Sequence, residues 1–153
     1  MNLDPGKLGT VYDALTEEID GDRAKEYAAA TNDDNPAYTS GKYAPPVFAV
    51  VPAWAAMGVA VGDVVPSEAL MMVVHGEQDM HFTQPLLPGT KLSTAAEAYS
   101  IRVGASCTRC SGRTRSSDAA TGDPIVEQYI TLFLRGLSDG GRAGPDKPGR
   151  YCP

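Results

Sequence analysis

The sequence predicts an α+β domain in which an antiparallel sheet of about five strands wraps around one mostly buried helix. A helix-forming segment and then an apolar segment occupy the first half of the chain, and strand-like segments joined by short turns follow in the second half. The 153 residues are the length of one domain. Hydrophobic residues make up 42% of the chain and charged residues 21%, a composition typical of a folded domain.

The first predicted helix covers residues 22–31, which are rich in alanine and follow a capping-competent Asp20. It ends at a polar run, residues 32–36, because Asn and Asp side chains bond to nearby backbone groups and Pro36 disfavours helical geometry at Asn35. A loop is therefore predicted there. An early strand near residues 11–15 completes the predicted sheet.

A buried helix is predicted over residues 47–58, which are apolar nearly all round and follow Pro45 and Pro46. Pro52 leaves the start of this helix open, because a proline inside a helix removes a hydrogen bond. The apolar run is interrupted by Pro52, two glycines and Asp63, so it is interpreted as a buried segment and not as a membrane span.

Four strands are predicted next, and the short turns between them favour antiparallel neighbours. They cover residues 70–82, 91–103, 105–117 and 124–134. From Gly136 onward the chain is rich in glycine and proline. The predicted organisation is a domain over residues 1–136 and a tail or linker over residues 137–153.

The formal net charge of −6 argues against a nucleic-acid partner and against an anionic membrane surface. The N-terminal residues lack the features of a secretory signal, and three cysteines are an odd number, so a reducing, cytoplasmic location is predicted. Cys107 and Cys110 are three residues apart on a predicted strand and face opposite sides, so no metal site is expected.

Several segments resemble the MaoC-like (R)-specific enoyl-CoA hydratases and dehydratases. The loop after the first helix is similar to their signature A-T-G-D-x-N-P-x-H, in the form Ala30-Thr-Asn-Asp-Asp-Asn-Pro-Ala-Tyr38. Further segments resemble the N-terminal half of the double-domain hydratase 2 proteins, and they are residues 44–48, 74–78, 85–92 and 129–134.

The resemblance implies a hot-dog fold and the addition of water to a trans-2-enoyl thioester, which gives a (3R)-hydroxyacyl thioester, or the reverse dehydration. It implies an acyl-CoA or acyl-carrier-protein thioester as the ligand and requires neither a metal nor a redox cofactor. It also implies a homodimer, or a heterodimer with a second hot-dog subunit, in which the two sheets join.

The resemblance places the catalytic aspartate at Asp33 and the geometry-fixing asparagine at Asn35, whereas Tyr38 occupies the histidine position. Tyrosine donates a proton but is a poor general base at neutral pH. Asn32 replaces the signature glycine. Two interpretations follow. Asp33 is the base of a hydratase, with Tyr38 as acid or orienting group, or the chain is a non-catalytic half that forms the acyl pocket beside a catalytic partner.

The candidate substrate-binding residues are His75, Trp54 and Met57. Strand alternation predicts that His75 shares one face with Glu77 and His81, while Trp54 and Met57 line either the core or an acyl pocket. Arg102, together with Arg109, Arg113 and Arg115, is a candidate for contact with coenzyme A phosphates. Two other functions stay open: a catalytically silent module that binds acyl thioesters or stabilises a partner, and a hot-dog thioesterase.

Overall fold

The computed structural model of the protein describes residues 3–104, 107–136 and 141–148. Two 3₁₀ turns, Pro5–Lys7 and Pro46–Ala49, accompany the regular elements. The helices are α1 Gly21–Ala30, α2 Pro36–Thr39, α3 Val50–Val64 and α4 Ser67–Leu70. The strands are β1 Leu15–Glu18, β2 Val73–Phe82, β3 Lys91–Val103, β4 Cys107–Asp118, β5 Pro124–Arg135 and β6 Arg142–Ala143.

The strands form one antiparallel sheet in the order β1-β3-β4-β5-β2, and β6 adds a short pairing to β3. Helix α3 packs on one face of this sheet, so the α+β arrangement predicted above is confirmed. Strand β2 pairs with β5 on one side only and is an edge of the sheet in the described part of the chain.

Helix α1 begins and ends where its local sequence dictates. The Asp20 carboxylate accepts hydrogen bonds from the backbone N–H groups of Asp22 and Arg23, at 2.9 and 3.1 Å. After the helix, Asn32 adopts a φ of 55°, the left-handed conformation that asparagine tolerates better than most residues. This reversal directs the chain into the polar loop predicted from the sequence.

The structure shows where α3 begins relative to Pro52. The 3₁₀ turn Pro46–Ala49 leads directly into α3, and Pro52 is the third residue of that helix. The first turn of an α-helix has no intrahelical acceptor for its N–H groups, so a proline there forfeits no hydrogen bond. The helix therefore runs from Val50 to Val64, longer than the sequence predicted.

Small residues let α3 lie close to the sheet. Ala56 and Ala60 pack with Ala96 of β3, and Met57 packs with Ile130 and other residues of β5. The continuous helical segment Pro46–Val64 is long and apolar enough to cross a membrane by length and composition, but its buried side packs on the sheet and forms the core. The absence of a membrane partner stays a prediction.

The sequence misplaced two strand boundaries. Residues 70–72 are not part of β2, because Leu70 ends α4 and the strand begins at Val73. The first strand lies later than predicted, at Leu15–Glu18, while Val11 makes only an isolated bridge to Glu97. Apolar periodicity reports neither the short helix α4 before β2 nor the irregular residues between Val11 and Leu15.

Residues 141–148, the C-terminal strap, cross the sheet face opposite α3. The Arg102 guanidinium donates hydrogen bonds to the carbonyls of Gly144 and Pro145, at 3.0 and 2.6 Å. At the other end, Lys147 Nζ contacts Glu77 Oε2 at 2.7 Å and Asp79 Oδ2 at 2.8 Å. The Gly/Pro-rich composition did not predict this attachment. A linker role for residues 137–153 stays a prediction.

Candidate functional site

The loop that carries the D-x-N-P motif is organised by its own side chains. Asp33 Oδ1 accepts a hydrogen bond from the backbone N–H of Asn35 at 3.1 Å. Asn35 Oδ1 in turn accepts from the Ala37 N–H at 3.0 Å and caps α2. Each side-chain oxygen thus supports the turn, and the structure places both predicted catalytic groups in one tight loop.

Tyr38 lies one turn further on and lines a cavity of about 410 Å³, the Tyr38 cavity. Its other walls come from the loop around Tyr43, from the start of the helical segment at Pro46 and from the end of β2 at Phe82. Leu86, which is buried, closes one side. The predicted catalytic loop therefore lies next to a largely apolar cavity at the C-terminal end of β2.

Trp54 and Met57 line a second cavity, the Trp54 cleft, of about 300 Å³. Its floor is formed by Ile130 and Leu132 of β5, and Val73 at the start of β2 adds a wall. Trp54 is the single tryptophan of the chain, and it is 59% exposed. The sequence predicted that this pair lies either in the core or in a pocket. Met57 is buried in the core and also lines the cleft, whereas Trp54 is exposed and forms the open wall of the cleft.

The two cavities lie at opposite ends of β2. Phe82 lines the Tyr38 cavity and Val73 lines the Trp54 cleft, and the ten-residue strand between them spans roughly 30 Å. Within one chain, the structure therefore separates Asp33, Asn35 and Tyr38 from Trp54 and Met57.

A β-bulge at Gly76 changes the faces predicted for β2. His75 lies opposite Leu132, but Glu77 lies opposite Thr131, so one extra residue is inserted between them. His75 shares the helix-facing side with Gln78, and the two side chains are hydrogen-bonded at 3.0 Å. The prediction that His75 shares a face with Glu77 and His81 was wrong, because alternation reverses at the bulge.

At the bulge, a neighbouring aromatic ring fills the space that a side chain at Gly76 would occupy. A Cβ at Gly76 falls inside the van der Waals contact distance of the Phe133 ring carbons Cδ2 and Cε2. Phe133 lies on the neighbouring strand β5, opposite Val74. The glycine in the segment 74–78 is the one sequence signal that points to this irregularity.

Three of the four candidate arginines form ion pairs or hydrogen bonds with other residues of the chain. Arg113 and Arg115 contact the carboxylates of Glu97 and Glu127. Arg102 holds the C-terminal strap through carbonyl groups and Asp146. These contacts give the arginines a structural role on the sheet face opposite α3. Contact with coenzyme A phosphates remains a prediction for this group.

The two described cysteines are free thiols, and Cys152 lies outside the described residues. In the part of the chain that the structure describes, no group of three or more His, Cys, Asp or Glu side chains is arranged to hold a metal ion. Cys110 is buried against the core and Cys107 is partly exposed. Both positions fit structural thiols.

We expect iodoacetamide at about pH 8 to alkylate Cys107 well before Cys110 in the folded protein. Burial raises the pKa of the Cys110 thiol to about 11, so its reactive thiolate is scarce at that pH. Trypsin cuts after Arg109 and places the two cysteines in different peptides, so mass spectrometry reads each rate separately. Equal rates in the folded protein would contradict the buried position of Cys110.

Comparison with known families decides the affiliation of this chain. The family model described as the MFE-2 hydratase 2 N-terminal domain matches residues 38–136, nearly two thirds of the sequence. The chain belongs to this family. The resemblance predicted from the sequence is thereby confirmed. The match of the hydratase 2 N-terminal domain begins at Tyr38, so Asp33 and Asn35 lie just before it.

Several known proteins are similar to this chain in sequence or in fold. A UPF0336 protein of Streptomyces avermitilis is 28% identical, over 92% of this chain and 100% of the relative. A MaoC-like dehydratase from Phytophthora capsici has a TM-score of 0.79 at 20% identity, and the match covers 98% of this chain and 55% of that one.

A further solved structure is the C-terminally truncated HadBC (3R-hydroxyacyl-ACP dehydratase) complex from Mycobacterium tuberculosis. It has a TM-score of 0.72 at 19% identity, and the match covers 87% of this chain and 99% of the matched chain. At such identities the likeness shows a shared fold. The prediction of a single hot-dog domain is confirmed.

Proposed function

We propose that this hydratase 2 N-terminal domain is the acyl-binding subunit of an enoyl thioester hydratase or dehydratase. A second hot-dog subunit supplies the catalytic aspartate and histidine. The observation that carries this proposal is the Trp54 cleft, an open apolar cavity of about 300 Å³ that lies away from the D-x-N-P loop. Clefts of this size and polarity are suited to a hydrocarbon chain.

The D-x-N-P loop supports a non-catalytic role for this chain. Its histidine position holds Tyr38, and a hydratase reaction needs a group that accepts and returns a proton. One side-chain oxygen of Asp33 and one of Asn35 accept backbone hydrogen bonds that hold the turn of the loop. A partner with a complete signature would supply the missing acid–base pair.

The edge of the sheet supports a partner subunit. Strand β2 is ten residues long and pairs on one side only in the described chain, which leaves backbone donors and acceptors open along the other side. Large apolar side chains near this edge are exposed: Met71 is 91% and Val74 42% exposed. We propose that the second hot-dog subunit joins its sheet here. The HadBC structure is itself a complex of subunits.

We also propose a cytoplasmic location, which the free thiols of Cys107 and Cys110 support.

We expect the purified chain to bind acyl-CoA in the Trp54 cleft without hydrating trans-2-enoyl-CoA. Because Trp54 is the single tryptophan and lines the cleft, its fluorescence reports binding directly. Gly58→Glu places a charge in the cleft wall, at a position where an added Cβ meets no side chain within 4 Å, and we expect about tenfold weaker binding. Turnover is followed by loss of the enoyl-thioester absorbance.

Ala55→Glu is the matched control, because Ala55 is exposed on the same helix but does not line the cleft. It is expected to change affinity less than about twofold. Turnover by the chain alone that Asp33→Asn abolishes would contradict the proposal and make Asp33 a catalytic base. Release of free thiol would indicate a thioesterase instead. Equal effects of the two glutamate variants would place acyl binding outside the cleft.

A further inference from the structure

A chain of three hydrogen-bonded side chains connects β2, next to the Trp54 cleft, to the residue that precedes α3. His75 Nε2 lies 3.0 Å from Gln78 Oε1, and Gln78 Nε2 lies 2.9 Å from Gln128 Oε1. Gln128 Nε2 then lies 3.0 Å from the carbonyl oxygen of Ala49. We call these residues the glutamine relay. It exists because the bulge at Gly76 puts His75 and Gln78 on one face.

The chemistry of the relay fixes its direction. The Ala49 carbonyl can only accept, so Gln128 must turn its amide nitrogen toward it and its oxygen toward Gln78. Gln78 must then donate to Gln128, which leaves its own oxygen facing His75. An oxygen acceptor requires a donor, so His75 Nε2 carries a proton. In the neutral imidazole, Nδ1 is consequently a bare acceptor.

The relay holds this arrangement from inside the core. Gln128 is fully buried beneath the first turn of α3, and Ala49 is the residue that precedes the helix. A buried amide with its oxygen and its nitrogen engaged has no energetically acceptable alternative orientation. The exposed imidazole at the strand edge therefore has a donor and an acceptor side that the fold determines.

We propose that His75 Nδ1 accepts a hydrogen bond from the hydroxyl group of a hydroxyacyl thioester whose acyl chain lies in the Trp54 cleft. His75 lies opposite Leu132 and two residues from Val73, and both of these line the cleft. A bare Nδ1 binds a hydroxyl group but not the thioester carbonyl, which has no proton to give. This inference rests on the proposed function and names the ligand group that the subunit distinguishes.

In this arrangement His75 is a substrate-binding residue, whereas Gln78 and Gln128 are positioning residues that act through it. The subunit would favour the hydroxyacyl form over a saturated acyl chain of equal length. A single neutral hydrogen bond contributes about 0.5–1.5 kcal/mol, which corresponds to roughly a 2- to 13-fold preference.

The test compares the binding of a (3R)-hydroxyacyl-CoA and a saturated acyl-CoA of the same length, read by Trp54 fluorescence. We expect the wild type to prefer the hydroxyacyl form about 2- to 13-fold. His75→Phe is expected to remove the preference, so that the two thioesters bind with equal affinity. His81→Phe is the control, because His81 lies on the other face of β2 and contacts the Tyr129 ring.

A second readout does not depend on any ligand. The chain has only two histidines, so nitrogen NMR of the rings resolves His75 with His81 as an internal reference. We expect the Nε2–H form of neutral His75 in the wild type and a larger fraction of the Nδ1–H form in Gln78→Met. A predominantly Nδ1–H imidazole in the wild type would overturn the relay.

The two levels of the proposal fail in different ways. Equal affinity for the two thioesters, or a preference that survives His75→Phe, overturns the assignment of His75 and leaves the acyl-binding function intact. If neither thioester binds, the proposed function is wrong, and the ligand assigned to His75 is wrong with it.

Discussion

Replacing Gly76 with alanine is expected to lower the free energy of unfolding by about 1–3 kcal/mol, the usual cost of overpacking. The new methyl group enters the space of the Phe133 ring, whose Cζ atom also lies 3.2 Å from the position of the added Cβ. To make room, either the ring must leave its position on β5 or the bulge must shift. Urea denaturation of both proteins measures the loss.

The ring itself provides the control. In a Phe133→Ala background the clash is absent, so Gly76→Ala is expected to cost less than about 0.5 kcal/mol there. Gly58→Ala is a second control, because a Cβ at Gly58 meets no atom within 4 Å, and helix propensity favours alanine at that position. Equal losses from Gly76→Ala in both Phe133 backgrounds would show that the ring is not the cause.

The same substitution, Gly76→Ala, also tests whether the bulge is needed for the glutamine relay. His75 and Gln78 are three residues apart and would face opposite sides of a regular strand. The inserted residue at Gly76 is what lets them share a hydrogen bond. Any shift of the bulge therefore separates the imidazole from the glutamine relay, and the preference for a hydroxyacyl chain should weaken together with stability.

Local signals in the sequence were sufficient for most of the fold. The capping aspartate and the alanine-rich segment located α1, and apolar alternation bounded by turns located β3 at the residues observed, Lys91–Val103. These features depend on neighbours within a few residues. The short turns correctly predicted that β3, β4 and β5 are antiparallel neighbours, whereas β2 lies at the edge beside β5 and not beside β3.

Features that depend on distant residues could not be predicted. Strict alternation put His75 and Glu77 on one face, because nothing near Gly76 in sequence shows that Phe133 fills its side-chain space. The attachment of the C-terminal strap depends on Arg102 and Lys147, whose partners lie about 40 to 70 residues away along the chain. Composition alone therefore predicted only a tail or linker for this segment.

The candidate site was predicted in part for the same reason. The sequence grouped Trp54 with Met57 because both lie on one apolar helix, and the structure places both at one cleft. It could not show that Asp33 and Asn35 engage their own loop, because that requires the observed hydrogen bonds. Gln78 and Gln128 were missed altogether, since a strand glutamine carries no signal of a distant amide partner.

Replacing Glu97 with glutamine is expected to lower the free energy of unfolding by about 2 kcal/mol. Glu97 lies directly opposite Arg113 on the paired strands, and their side chains are only 11% and 19% exposed. Burial alone would lower the pKa of Arg113, but the hydrogen bond to Glu97 raises it above its usual value. Without that carboxylate, the Arg113 charge stays partly buried beside the Tyr99 ring.

The expected loss is smaller than the roughly 3–5 kcal/mol for breaking a fully buried pair, because Glu127 still lies 3.8 Å from Arg113. Glu127→Gln is the matched control. Its side chain is 36% exposed, so we expect a loss below about 1 kcal/mol, reduced further by salt. If the two variants lost equal stability, Glu97 would not be the anchor of this network.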